Sequence, residues 1–272
     1  MTVSRNLILY LRLLGAQIRS QCQYRFSLIL DMTAAAFGAG IGFATLALLF
    51  QRFDRIGGWT LTEIAFLYGL VETAFGLTDM LFSGFDPDAF APKMVQRGGF
   101  DQVLLRPIDV TVQILGSDIA LRRLGRIAQG VAVLGFATSS AGIHWTPLKA
   151  IYLPVVIASM LAFFGGLFII GSTSTFWTVQ RVEVINIFTY GGSEMMAYPM
   201  HIYNRWMRRF FTYVVPAIFL NYYPALYFLD KADPLDMPTI TPFLSPLIGF
   251  GAFGVALAFW RFGVRRYSST GT

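Results

Sequence analysis

Five stretches of this sequence run for 20 residues or more without an Asp, Glu, Lys or Arg: 32–51, 127–148, 150–180, 210–229 and 237–260. A helix that crosses a bilayer needs about 20 mostly apolar residues, so each has the length of a span. A sixth stretch, 61–84, is as apolar but holds Glu63, Glu72 and Asp79. Strands of a membrane barrel would alternate apolar and polar residues over about ten positions, and none of these runs does. Charged residues make up 13% of the chain, against roughly a quarter in soluble domains, too few to cover a soluble surface. The expected fold is all-α and polytopic: six transmembrane helices in one membrane domain spanning 1–272.

The net charge of +6 comes with 21 Lys and Arg, and their positions say what that charge is for. Short cytoplasmic loops of membrane proteins carry an excess of both. With the N-terminus in the cytoplasm, the inner side holds Arg5, Arg12, Arg19, Arg25, Lys93, Arg97, Arg106, Arg122, Arg123, Arg126, Arg181, Arg205, Arg208, Arg209, Arg261, Arg265 and Arg266, 17 in all. Arg52, Arg55, Lys149 and Lys231 fall outside. Both termini are therefore expected in the cytoplasm. The same asymmetry turns the basic charge into a topology signal and argues against a nucleic-acid surface, which needs a basic face on a folded domain.

Arg5, Arg12 and Arg19 recur every seven residues on one helical face, while Leu7, Leu11, Leu14 and Ile18 line another. A secretory signal would confine its charge to the front and end in small residues. The first 25 residues read instead as an amphipathic interfacial helix, lying in the headgroup layer or packed on the protein's own inner face. Turn chemistry marks Gly57-Gly58 outside, Asp86-Pro87-Asp88 inside and Asp230 to Pro238 outside. The longest inner connection is 85–107. The third helix is expected to start near Asp109, with Asp118, Arg122, Arg123 and Arg126 on a cytoplasmic extension. Between 181 and 229 two readings compete. Hydropathy makes 210–229 the fifth span and 181–209 an inner amphipathic stretch, although Pro216 and Pro224 interrupt that span. Alternatively 183–198 crosses, and 199–229 folds back from outside as a re-entrant hairpin.

No catalytic constellation stands out. His-Glu-x-x-His and Gly-x-Ser-x-Gly are absent, and Lys93, Lys149 and Lys231 are followed by Met, Ala and Ala, so no Walker-type ATP site exists in this chain. A single cysteine, Cys22, excludes a disulfide framework; it reads as an inert thiol or a palmitoylation site. His144 and His201 lie near span ends as structural residues and leave metal chemistry little to work with. Ionisable groups at membrane depth are the functional candidates. Glu72 is the deepest, either lining a polar path or bonded between helices, and Glu194 joins it if 183–198 crosses. Gly38 and Gly42 have the spacing of a dimer contact or of intrachain packing. Trp59, Trp145, Trp177 and Trp260 have the positions of interfacial belt residues.

The inner-loop segment Gly98-Gly99-Phe100-Asp101-Gln102-Val103-Leu104-Leu105-Arg106-Pro107-Ile108 resembles an element of bacterial type-two ATP-binding-cassette (ABC-2) exporter permeases. Tyr198-Pro199, Arg205-Trp206, Pro216 and Asn221-Tyr222-Tyr223-Pro224-Ala225 are similar to a second run of one subgroup. Gln21 to Arg25 before the first span fits the same pattern. The resemblance implies a six-helix permease subunit of the bacterial plasma membrane. It would be paired with a second copy or a paralogous permease, and driven by two separate ATPase subunits that bind the ATP and magnesium. It also implies a re-entrant element before the last span, and brings Asn221 among the polar residues of the translocation path.

A transporter without its own P-loop must take energy from a partner that has one. The 92–107 segment, flanked by Pro92 and Pro107, is where a lever against that partner is expected. Its residues are Lys93, Arg97, Gly98, Gly99, Asp101, Leu104, Leu105, Arg106 and Pro107, with the charged groups as contacts. The apolar lining of the first, second and fifth spans points to an amphipathic or lipid-like cargo. The rival classes are an intramembrane lipid-modifying enzyme and an ion-coupled carrier.

Overall fold

The computed structural model describes residues 3–180 and 182–269; Arg181 and the side chains of Arg5 and Leu7 lie outside the described residues. The regular elements among those residues are helical. They are α1 (Val3–Gln23), α2 (Arg25–Arg52), α3 (Leu61–Leu81), α4 (Pro87–Phe90), α5 (Gly99–Leu104), α6 (Val110–Ser117) and α7 (Leu124–Ser140). After these come α8 (Pro147–Thr178), α9 (Glu183–Asn186), α10 (Gly192–Met196), α11 (Arg205–Arg209), α12 (Tyr222–Phe228) and α13 (Ser245–Arg266). Four helices are long and apolar enough to cross a membrane: α2, α3, α8 and the 241–266 helix that contains α13.

The apolar, small-residue sequence of α3 puts it at the centre, buried along most of its length against α7 and α8. Thr60 and Glu63 close a capping box at its start, which satisfies two otherwise orphaned backbone donors. Glycines set how closely α3 and α7 approach. A Cβ on Gly69 would lie 2.6 Å from the Leu134 amide nitrogen, and one on Gly130 2.7 Å from that of Thr73. Such close approach is the usual reason for small residues between membrane helices. Gly130→Val is therefore expected to force the pair apart at a cost of about 1–3 kcal/mol. On the same helix, Gly135 faces open space, so Gly135→Ala should be neutral or better. Thermal unfolding of the two variants in detergent checks the contrast.

The third helix does not run unbroken from Asp109. Asp109 does cap a helix, accepting from the Val112 amide at 3.1 Å. That helix, α6, ends at Asp118, which is extended, and α7 begins only at Leu124. The break survives because α1 satisfies its backbone. Gln17 donates to the Ser117 carbonyl at 2.7 Å, Gln21 donates to that of Ile119 at 2.5 Å, and the Leu121 amide donates back to Gln21 at 3.2 Å. An interrupted helix in a membrane protein needs such substitutes for its lost ladder bonds. One face of α1 thus packs on the protein, with Leu13 against Gly116. Leu11 and Ile18 face outward.

Past α8 the chain reverses at Val179 (φ +59°). Residues 183–196 form one helical run through a widened π-type turn at Ile187–Gly191. Its first part meets Asp88, which accepts from the Asn186 amide group at 3.1 Å. Just past its other end His201 packs on the α2–α3 loop, its Nε2 2.6 Å from the Gly57 carbonyl oxygen. The run therefore extends from the Gly98 end of the bundle to the Gly57 end. The 210–229 stretch is not one helix. It breaks at Val215 and Pro216, where the missing amide donor cannot continue the ladder, and resumes as α12. Arg205, Arg208 and Arg209 share a cleft with Leu235 and Met237, in the connection whose Lys231 bonds Glu63 at 2.8 Å. These three arginines therefore lie toward the Gly57 end of the bundle, past the 183–196 run.

Candidate functional site

The antiparallel pairing of α3 with α7 brings carboxylates and guanidiniums together inside the bundle. Glu72 and Asp79 are seven residues apart on α3, two helical turns. Arg123 and Arg126 are three apart at the start of α7. The match gives two rungs: Arg126 donates to both oxygens of Glu72, at 2.5 and 2.8 Å, and Arg123 lies 2.8 Å from Asp79. Arg126 also sits over the Phe75 ring at 4.8 Å. Bidentate pairing of this kind is the strong form of the interaction, and it is what allows Glu72 to be buried midway along α3. The two arginines do not extend into solvent as the sequence suggests. The helix break at 118–123 delivers them into the bundle.

A cavity of about 280 Å³ opens beside the rungs, lined by Gly38, Gly42, Tyr68, Glu72, Arg126 and Glu194, among others. Glu194, on α10, joins Glu72 although 122 positions separate them in the sequence. The Tyr68 hydroxyl donates to the Ala39 carbonyl at 2.7 Å, fixing α2 against α3 above the cavity. Gly42 faces that hydroxyl, whereas Gly38 touches nothing within 4 Å, so only one of the two packs within the chain.

Asn221 does not line this cavity. It is almost fully buried, donating to the Met196 carbonyl at 2.6 Å and that of Leu67 at 3.3 Å, so it ties the start of α12 to α10 and α3. His201 is likewise a link, between Gly57 and the Tyr222 hydroxyl at 3.0 Å. Among the described residues, no group of three His, Cys, Asp or Glu could hold a metal.

At the other end, the 83–107 segment folds into short helical pieces on an aromatic platform. Phe100 is fully buried, 4.8 Å from both the Phe176 and Tyr267 rings and 5.9 Å from that of Trp260. Phe85 and Phe90 complete the cluster, so the segment is fixed to the ends of α8 and α13. Gly98 is left-handed (φ +63°), a conformation glycine takes at no steric cost, and a Cβ on Gly99 would strike the Lys93 carbonyl oxygen at 2.5 Å. Lys93, Arg97, Leu104, Leu105, Arg106 and Pro107 are all exposed, with Leu105 at 85%. Asp101 is half-buried, and Ser269 donates to it at 2.7 Å. The aromatic anchors were not apparent from sequence, and neither were the Arg123 and Arg126 rungs. Trp59 and Trp260 are core residues, Trp260 bonding Thr111 at 3.1 Å, and not belt residues; Trp145 and Trp177 are exposed.

A family model described as "ABC-2 family transporter protein" matches residues 38–271. Comparison with curated proteins and with solved structures gave no match.

Proposed function

The chain belongs to the ABC-2 transporter family, and from that premise we propose that it is the permease subunit of an ATP-driven exporter in the bacterial plasma membrane. Its energy comes from separate ABC ATPase subunits, and it pairs with a second permease, a copy or a paralogue. The observation that carries the reading is the family match over 38–271, together with the absence of a Walker lysine.

In this reading α2, α3, α7, α8, the 183–196 run and the 241–266 helix make six crossings. Both termini lie at the cytoplasmic Gly98 end, and 199–229 is the re-entrant element. The path of 183–196 from Asp88 to the neighbourhood of Gly57 supports that assignment. The 92–107 segment is the lever. Its exposed Leu104, Leu105, Arg97 and Arg106 meet the ATPase, and the Phe100 platform passes ATPase closure to α8 and α13 as rigid-body motion. Alternating access then opens the region between α2, α3 and α10 to either side. An amphipathic or lipid-like cargo suits walls that are mostly apolar with one polar cavity. An intramembrane enzyme would need its polar groups convergent on a reactive atom, and here they are spent on each other as ion pairs.

Two measurements test the reading together. Purification in mild detergent should bring down an ABC ATPase, and transport in membrane vesicles should stop without ATP. A partnerless chain whose transport runs on an ion gradient alone would overturn it in favour of a carrier.

A further inference from the structure

We propose that the cleft between α11 and the 229–240 connection binds the phosphate headgroup of an anionic phospholipid in the leaflet that meets the Gly57 end. α11 continues through Phe210–Val214 as one helical run. Its Arg205, Arg208 and Arg209 line a cleft of about 310 Å³ with Thr212, Tyr213 and Tyr223. The two lysines of this end are already committed: Lys149 bonds Asp230 at 2.7 Å and Lys231 bonds Glu63 at 2.8 Å. The three arginines form no ion pair among the described residues. Of the carboxylates in the adjoining connection, Asp230 is held by Lys149, Asp233 accepts from the Leu235 and Met237 amides, both at 2.9 Å, and Asp236 is exposed. The cleft therefore offers three guanidiniums that no carboxylate of the described residues pairs, and guanidinium geometry matches phosphate oxygens in pairs.

The flanks say where the phosphate comes from. Trp206 and Tyr213 are 71% and 78% exposed, and Trp206 stacks on Phe210 with ring centroids 5.6 Å apart. Exposed Trp and Tyr of this kind belong at the boundary between acyl chains and headgroups, which holds the neighbouring guanidiniums at phosphate depth. A basic trio also weakens the Lys/Arg asymmetry that orients a membrane protein, so its presence at this end calls for a local use. A phospholipid satisfies both halves of the surface, acyl chain on the rings and phosphate on the arginines, whereas a soluble anion satisfies only one. The inference does not depend on the direction of transport.

The test uses the full chain in its purified complex, titrated in detergent with brominated phosphatidylglycerol while tryptophan fluorescence is read. Trp206→Phe identifies the share of the signal that belongs to Trp206. Saturable quenching of Trp206 is expected, stronger than with brominated phosphatidylcholine. Each basic residue near an anionic lipid surface is worth roughly fivefold in binding. The combined Arg205→Gln, Arg208→Gln and Arg209→Gln variant should therefore lose at least about tenfold in apparent affinity. If that variant does not purify, Arg209→Gln alone, at an exposed position, should lose about fivefold. Arg52→Gln with Arg55→Gln, which removes charge at the same end, should change nothing. Unchanged affinity in the arginine variants, an equal loss in the Arg52 and Arg55 variant, or equal quenching by phosphatidylcholine would each overturn the site. Millimolar inorganic phosphate is the second arm: failure to displace the lipid supports the lipid source, and displacement overturns it in favour of a free anion.

Discussion

Glu72→Leu is expected to destabilise the protein by about 3–5 kcal/mol, because it leaves Arg126 inside the bundle without its bidentate partner. The native pair is short and largely sequestered, with Arg126 bonded to both carboxylate oxygens. The bundle interior offers the orphaned guanidinium little water in exchange, and an unpaired buried charge is costly there. Glu194 lines the same cavity and offers partial relief, so Glu72→Leu with Glu194→Gln should be worse than Glu72→Leu alone. Removing both ends of the rung behaves differently. An apolar pair of similar volume is often neutral or stabilising where one orphaned charge is not, so Glu72→Leu with Arg126→Leu should recover most of the lost stability. Melting temperature and monodisperse yield in detergent read these outcomes. If Glu72→Leu stays within about 0.5 kcal/mol of the parent, as a neutral surface change would, the rung is not holding α3 to α7. The doubly apolar variant also separates structure from transport. Should it fold well but transport poorly, the charges belong to the cargo path; should it do both well, they serve only as a brace.

What could be read from sequence follows from which forces are local. The cost of burying charge in lipid is local to each residue, so charge-free runs locate α2, α8 and the 241–266 helix directly, and α3 stands out by its apolar residues despite Glu63, Glu72 and Asp79. The same measure misreads 210–229, because a run without charge says nothing of the backbone donor lost at Pro216. The break before α7 was hidden for a different reason. It is held open by Gln17 and Gln21, about a hundred positions away, and no window over 109–130 contains that information. Arg123 and Arg126 therefore looked like the basic end of a long helix, when the break turns them into partners for Asp79 and Glu72. The spacing of those two carboxylates, both on one face of α3, was the available signal. Trp59 and Trp260 were misplaced similarly: an aromatic near a span end faces lipid or core according to its neighbours, and theirs are Tyr222 and Phe100. In the 92–107 segment the glycines and prolines marked a rigid turn, but Phe100, the residue that fixes it to α8 and α13, looked like any other apolar position.

Leu105→Asp should leave the permease folded and inserted yet weaken its association with the ATPase by roughly 30-fold or more, about 2 kcal/mol. Leu105 is the most exposed large apolar side chain of the segment and sits beside exposed Leu104, with exposed Arg106 and Pro107 next in the chain. An apolar centre with a charged rim is the anatomy of a protein interface. Exposing such a side chain to water gains the permease nothing on its own. The platform beneath is stiff, since Phe100 is locked among Phe176, Trp260 and Tyr267, so a contact at Leu105 is transmitted to α8 and α13 with little slack. Arg106→Glu should act through charge: losing one member of a hydrogen-bonded interfacial pair typically costs 2–5 kcal/mol, and the reversal adds repulsion against an acidic ATPase surface. Positive-inside orientation should survive it, because only one of many basic residues at that end changes. Asp101→Lys belongs to a separate class. Its carboxylate is held by Ser269 within the chain, so that change should loosen the tail against the platform more than it disturbs the partner. Melting temperature separates these cases, since substitutions at exposed positions should stay within about 0.5 kcal/mol. Co-purified ATPase and ATP-driven transport in vesicles then report the contact. Full ATPase recovery and undiminished transport in both Leu105→Asp and Arg106→Glu would remove the lever assignment and leave the segment as topogenic charge.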